Sequence, residues 1–234
     1  MEKHYCSIAV SPLRAENSEK SEMVSQILYG EICEIIESEG DFSKIRMEFD
    51  GYEGWCNSSV LKKQTHDTAK NIIAQPYGVF DLPEGKSLLS LGSEVEFATE
   101  NNLIHHDIRE SLVETAKKFL NVPFLWGGRS FFGVDDSGFV QLVYKLHGIH
   151  LPRDPEQQAL QGVSRDFVEE SEPGDLAFFE DKEGHIIHVG IVLSPFEIIH
   201  AHGKVRIDSL DFSGIYNAEQ NKHTHKLRFV KTVI

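Results

Sequence analysis

Between residues 31 and 61 apolar and polar side chains alternate, in EICEIIESEGDFSKIRMEFDGYEGWCNSSVL, with breaks at Glu39-Gly40-Asp41 and Asp50-Gly51. A period of two puts successive side chains on opposite faces of a pleated strand, so the stretch predicts short, half-buried strands joined by tight turns. Together with the similar pattern from Ser7 onward, it predicts a small all-β barrel over residues 1–62. The opening of that pattern then returns: SIAVSPLRA and ILYGEICEI are echoed by NIIAQPYGVF and LSLGSEVEF, a strand, a proline turn and a Gly-acid-apolar strand in each. No second Gly-Trp hairpin follows. Residues 63–100 are therefore expected to form a degenerate second barrel, reached through a polar linker at 62–70.

After residue 101 the period becomes helical. In DIRESLVETAKKFL, Asp107 is the N-cap candidate, and Ile108, Leu112, Ala116 and Phe119 share one face. A second helix is predicted to start near Asp135 or Asp136, to bury Phe139, Val140, Leu142, Val143 and Leu146, and to stop at Gly148. A third short helix follows Pro155, and strands are predicted at 175–179, 188–194, 198–201, 205–207 and 227–233. Helices first and strands afterwards argue for an α+β domain over residues 101–234.

Composition narrows the function classes. The 234 residues are 40% hydrophobic and 26% charged, ordinary globular values. The formal charge of −14 opposes binding to nucleic acid or to anionic lipid and favours a cationic or zwitterionic ligand, although acidity also simply keeps a surface soluble. Cys6, Cys33 and Cys56 lack metal-site spacing and are expected as small buried side chains. The start MEKHYCSIAVSPLRAE has no apolar leader segment, so the chain as written is expected to be cytoplasmic, or periplasmic or secreted if an export signal was removed. No cofactor and no membrane partner are expected.

Candidate chemistry gathers in the last domain. The loop-to-helix junction Gly133-Val134-Asp135-Asp136-Ser137-Gly138, His188 opening HVGIVL, and His200 in IIHAHG offer a helix N-terminus and two neighbouring strands. Those are the three places a nucleophile, its base and an orienting group require. His105, His106, His147, His150, His185, His202, His223 and His225 belong to no such pattern and are expected at the surface or in satisfied packing, with the HTH pair near the end an adventitious metal binder at most.

The stretches FLWGGRS, DxSGFVQ, LPRD, PGDLAFF, HVGIVL and IHAHGKVRID, in this order, resemble the NlpC-type peptidoglycan endopeptidases, a papain-like family, and among them the members with SH3-like domains ahead of the catalytic one. Asp50-Gly51-Tyr52-Glu53-Gly54-Trp55 is similar to the distal hairpin of bacterial SH3-like domains. The resemblance implies hydrolysis of the bond between D-γ-glutamate and the diamino acid in free murein stem peptides that begin with L-Ala. It implies His188 as general base and His200 as the group orienting it. It implies Trp126, Asp135, Ser137 and Asp154 as pocket residues, with Asp154 pairing the free α-amino group and Tyr52 contacting the pocket from the SH3-like side. Plainer readings stand beside these: Tyr52 and Trp126 as packing aromatics, and Asp154 as a cap or turn carboxylate before Pro155.

The family pattern has Asp-Cys-Ser-Gly where this chain has Asp135-Asp136-Ser137-Gly138. A carboxylate attacks an amide poorly, and its acyl product would be an anhydride uphill of the substrate. Loss of the covalent nucleophile ordinarily costs several orders of magnitude in rate. Ser137 is no substitute, because one step along a helix turns its hydroxyl by about 100°. Asp136 is nonetheless at ease at a helix N-terminus. Three readings stay open: a peptidase scaffold whose nucleophile is replaced but which still binds peptide; a natural pseudoenzyme binding a peptide or partner; and a metal site of Asp136, His188 and His200, a formal two-His-one-carboxylate set.

Overall fold

The structure, a computed structural model, describes residues 2–66, 70–83, 85–99 and 107–234. His105, His106 and part of the 62–70 linker lie outside the described residues. Two compact units are present, one from residues 1–103 together with 125–134, the other from 104–124 and 135–234. Among the described residues no helix is long and apolar enough to cross a membrane.

The first unit carries a seven-stranded antiparallel sheet in the order Met23–Leu28, Val10–Arg14, Glu53–Asn57, Phe42–Met47, Ile32–Glu39, Lys3–Cys6, Leu61–Lys63. The alternating pattern turns Leu13, Ile27, Cys33, Ile45, Met47 and Cys56 onto one buried cluster with Cys6, and Tyr52 packs against it. All three cysteines are buried and free, and burial pushes each thiol up to about 12, leaving almost no thiolate at neutral pH. The expected second barrel is reduced to two ribbons, Asn71–Ile72 with Glu94–Val95 and Tyr77–Leu82 with Gly85–Ser90. They share their apolar cluster, Ile73, Leu89 and Val95, with Tyr29 of the first barrel. Gly30 (φ +80°) makes the close approach possible, since a Cβ there would lie 1.8 Å from the Glu94 carbonyl oxygen.

Residues 125–134 join this unit through a buried ion pair. Arg129 places Nη1 and Nη2 at 2.8 and 2.7 Å from the Glu31 carboxylate oxygens, and its amide donates to Gln26 Oε1 at 2.7 Å. Both charged side chains are about 2% exposed or less, so each depends on the other for its hydrogen bonds.

In the second unit α1 spans Ile108–Lys117, α2 Asp136–Lys145 and α3 Pro155–Gln158. Asp107 caps α1 as expected, through Arg109 N. Leu112, Ala116 and Phe119 are buried, but Ile108 is not: at the first helical position it points outward, and Val113 takes the place on the packed face. Helix α2 buries the five expected apolar residues and ends about a turn before Gly148, which carries the chain out in the left-handed conformation (φ +72°). Phe119 meets Phe139 edge-on at 5.3 Å, joining α1 to α2.

The strands Leu176–Glu180, Ile186–Ser194, Glu197–His202, Lys204–Asp211, Gly214–Asn217 and Lys222–Thr232 pair in sequence, and the last also pairs with both the first and the fifth, closing the sheet on itself. Gly214–Asn217 and the short Val163–Ser164, which pairs with Lys222–Thr232, are strands of this sheet that the sequence pattern missed. Ala177, Phe179, Val192, Ile198, Leu210, Ile215 and Val230 fill one face of it. His188 and Gly190 have the parity of Val192, and His200 that of Ile198, so both histidines stand on that apolar face.

Candidate functional site

Helix α2 begins with an Asx cap: the Asp135 side chain accepts from Gly138 N at 2.7 Å, which makes Asp136 the first helical residue. Its carboxylate reaches the adjoining strand, where Oδ2 lies 2.8 Å from His188 Nδ1 and accepts from Val189 N at 3.1 Å. His188 Nε2 lies 2.9 Å from His200 Nδ1, and His200 Nε2 lies 3.0 Å from Asp208 Oδ2. Arg206 ends the series with a fork on Asp208, Nε to Oδ2 at 2.7 Å and Nη2 to Oδ1 at 2.9 Å. Gly190 pairs with His200 across the sheet, and a Cβ at 190 would lie 2.9 Å from His200 Cβ, so the glycine of HVGIVL clears room for the imidazole that orients His188.

Protonation states follow from this geometry. Burial drives His200 down to about 4, outweighing the Asp208 hydrogen bond, so the ring is neutral at pH 7. Burial works against ionisation of Asp208, but His200 and Arg206 hold it below the usual carboxylate range. His200 therefore donates from Nε2 to Asp208 and presents a bare lone pair at Nδ1. His188 Nε2 must then be a donor. For Asp136 too, burial is the largest influence and opposes ionisation, yet His188 and the Ser137 and Val189 amides outweigh it and leave the carboxylate charged. His188 Nδ1 faces that carboxylate, so both of its ring nitrogens are engaged.

Residues 121–226 match the NlpC/P60 family profile, and residues 13–61 match the bacterial dipeptidyl-peptidase SH3 domain. The chain carries an NlpC/P60 domain behind a bacterial SH3 domain. It is 36% identical over 122 residues to a gamma-D-glutamyl-L-lysine dipeptidyl-peptidase of Bacillus cereus, a match covering 51% of this chain and 36% of that protein, so it spans about a third of that relative. Dipeptidyl-peptidase 6 of Lysinibacillus sphaericus is 27% identical over 246 residues, covering 85% of this chain and 88% of the relative. The crystal structure of an NlpC/P60 family protein from Bacillus cereus covers 99% of both chains at a TM-score of 0.85 and 19% identity, which establishes the papain-like fold.

Within the NlpC/P60 domain the structure brings Asp136, His188 and His200 together, but in series. Asp136 meets the outer nitrogen of His188 and His200 the inner one, so those three do not converge on a single point as one ion's ligands must. Asp135 and Ser137 are both held by Arg153 of LPRD, which donates Nη2 to Asp135 Oδ2 at 2.5 Å and Nη1 to Ser137 Oγ at 2.9 Å. The Ser137 hydroxyl is turned toward that arginine. Asp154 is the N-cap residue of α3 but makes no side-chain capping bond there. Tyr52 and Trp126 belong to the barrel unit. Tyr52 packs on its core, whereas Trp126 is 64% exposed and donates its indole N–H to Glu22 Oε1 at 2.6 Å.

Sequence reasoning passed over Asp208, Arg153 and His225. The first two sit inside motifs already singled out, IHAHGKVRID and LPRD. His225 has no motif, yet its ring stacks on His188 at 4.2 Å and 24°, with His202 edge-on to it at 5.0 Å. His147, His185 and His223 are partnered by Thr115, Asp181 and Asp211, as expected of packing or surface histidines.

Proposed function

We propose that this chain binds free murein stem peptides of the type L-Ala-γ-D-Glu-diamino acid without cleaving them by the acyl-enzyme route. The observation that carries this reading is the Asp136 carboxylate, 2.8 Å from His188 Nδ1 in an otherwise complete relay. The place of a thiolate at a helix N-terminus is filled by a group that keeps the negative charge and the imidazole partner but not the sulfur. The peptide class rests on the names of the relatives, gamma-D-glutamyl-L-lysine dipeptidyl-peptidase and dipeptidyl-peptidase 6. The formal charge of −14 favours a ligand that presents a free amine.

Ser137 and Asp154 are the proposed peptide contacts in this unit. Arg153 ties the turn before α3 to the first turn of α2, and Asp154 is its immediate neighbour. A carboxylate pairing the α-amino group would confine binding to released peptides, because that amine is blocked in intact wall. Calorimetry on metal-free protein tests the reading, with L-Ala-γ-D-Glu-L-Lys and its N-acetylated form as ligands and product analysis of the recovered peptide. The free peptide should bind, the acetylated one should not, and the peptide should be recovered intact. Equal binding of both forms would remove the amine-recognition reading, and binding of neither would remove the peptide reading altogether.

A further inference from the structure

Four imidazoles, His188, His200, His202 and His225, are gathered around the relay, and peptide binding gives His202 and His225 no task. We propose that His188, His200 and His225 form a binding site for a late first-row divalent cation, Zn²⁺ foremost.

The ligand atoms of these three side chains lie within 4.8 Å of one another. More telling is what stands behind them. Metal-bound histidines almost always donate the second ring N–H to a carboxylate, a carbonyl or water, which fixes the ring and raises its basicity. Here His188 gives Nδ1–H to Asp136 and His200 gives Nε2–H to Asp208, each to a carboxylate, while His188 Nε2 and His200 Nδ1 face each other across 2.9 Å. His225 Nδ1 is engaged by Thr224 Oγ1 at 2.9 Å, which leaves Nε2 as its ligand atom. The substituted residue thus acquires a role: a carboxylate at 136 orients His188 from behind rather than ligating the ion. Imidazole donors suit Zn²⁺, Cu²⁺ and Ni²⁺ and disfavour Mg²⁺ and Ca²⁺. Three of them leave a coordination position for solvent or for a ligand carboxylate.

The ion would take the place of the hydrogen that bridges His188 Nε2 and His200 Nδ1. The His225 ring must also swing out of its stack, since lone pairs of nearly parallel rings do not meet at one point. His225 is half-buried, with His202 edge-on to it at 5.0 Å.

Two other clusters could take up metal at the surface, Asp181 with Glu183 and His185, and the His223–Asp211 pair, and they serve as controls. The test is Zn²⁺ titration of the untagged, metal-free full chain by calorimetry, together with the visible spectrum of the Co²⁺ form. The expected result is one ion per chain and tetrahedral d–d bands. His225→Ala should weaken binding at least a hundredfold, and Asp208→Asn by about 10- to 100-fold. His185→Ala and His223→Ala should leave it unchanged. Absence of stoichiometric binding, an octahedral Co²⁺ spectrum, or binding lost in His185→Ala or His223→Ala but kept in His225→Ala would overturn the proposal. The Co²⁺ spectrum of the unaltered chain decides the question even if a histidine variant fails to fold. Because peptide binding is measured in metal-free protein, either proposal can fail without the other.

Discussion

Asp136 Oδ2 lies 2.8 Å from His188 Nδ1, with the Val189 amide donating to the same oxygen. The carboxylate is thereby held charged inside a mostly apolar setting, and the histidine it faces is held as its partner. Replacing Asp136 by Asn removes the charge but keeps the shape. His188 Nδ1 then loses its charged acceptor and is oriented less firmly. Two-dimensional ¹⁵N NMR of the ring nitrogens checks this: the His188 Nδ1 signal should move in the Asp136→Asn variant, while His200 keeps its tautomer.

Stability should fall in acid through two kinds of group, buried histidines first and then the relay carboxylates. His200 is depressed from 6.5 to about 4, and burial also lowers His225, so below pH 6.5 the unfolded chain takes up protons that the folded chain refuses. Their contribution is complete above about pH 6.5 and is lost below it, for His200 as pH falls toward 4 and for His225 further still, at about 1.4 kcal/mol per pH unit for each depressed histidine. Asp136 and Asp208, depressed from the ordinary carboxylate value, contribute fully above about pH 4 and are lost below it. Urea unfolding at pH 7 and pH 5 should therefore differ by about 2 kcal/mol from His200 alone, and His200→Gln should flatten that difference. An equal slope in wild type and variant would contradict the assignment of His200 as buried and neutral.

Arg153 holds Asp135 and Ser137 at the first turn of α2 and is 2% exposed. Arg153→Ala leaves the Asp135 carboxylate buried without its cation, and the expected cost is about 3–5 kcal/mol of unfolding free energy. Lysine cannot span both partners from one planar head, so Arg153→Lys should recover only part of it. Denaturant melts of the three proteins check the order.

The Arg129–Glu31 pair secures residues 125–134 in the barrel unit. Glu31→Ala strands a buried guanidinium and should destabilise that unit by about 3–5 kcal/mol. In native-state hydrogen exchange the effect should concentrate in residues 1–103 and 125–134. Uniform loss of protection across both units would show that the pair does not act locally.

Gly190→Ala puts a Cβ 2.9 Å from His200 Cβ and 2.8 Å from Ile198 Cδ1, neither of which can retreat freely. Overpacking of this kind costs about 1–3 kcal/mol. The His188–His200 bond should break, which ring-nitrogen NMR would register as loss of the coupled histidine signals while the fold persists.

Much of this was legible in the sequence because the site is built on regular elements. Asp136 follows an N-capping aspartate, and His188 and His200 lie on strands whose apolar runs are unmistakable. Asp208, Arg153 and His225 were harder because their roles depend on partners the pattern cannot pair. Asp208 reaches His200 only through the register that sets Ile198 opposite it. Arg153 sits 18 residues from Asp135 across a turn, and His225 comes from the strand that closes the sheet. The attachment of 125–134 to the barrel unit rests on an ion pair between residues 98 apart, for which local periodicity has no signal. Ile108 was misplaced for a simpler reason: a first helical position is not yet committed to the face the later turns define.

The proposed function makes residue 136 the part that a peptidase constellation lacks, and Asp136→Cys tests that proposal most directly. Against L-Ala-γ-D-Glu-L-Lys, followed by release of free lysine in the presence of a chelator, the variant should hydrolyse the γ-glutamyl bond at least about a thousandfold faster than the chain as it stands. Equal rates for the two proteins, with the variant folded and its cysteine alkylated readily at neutral pH, would contradict it.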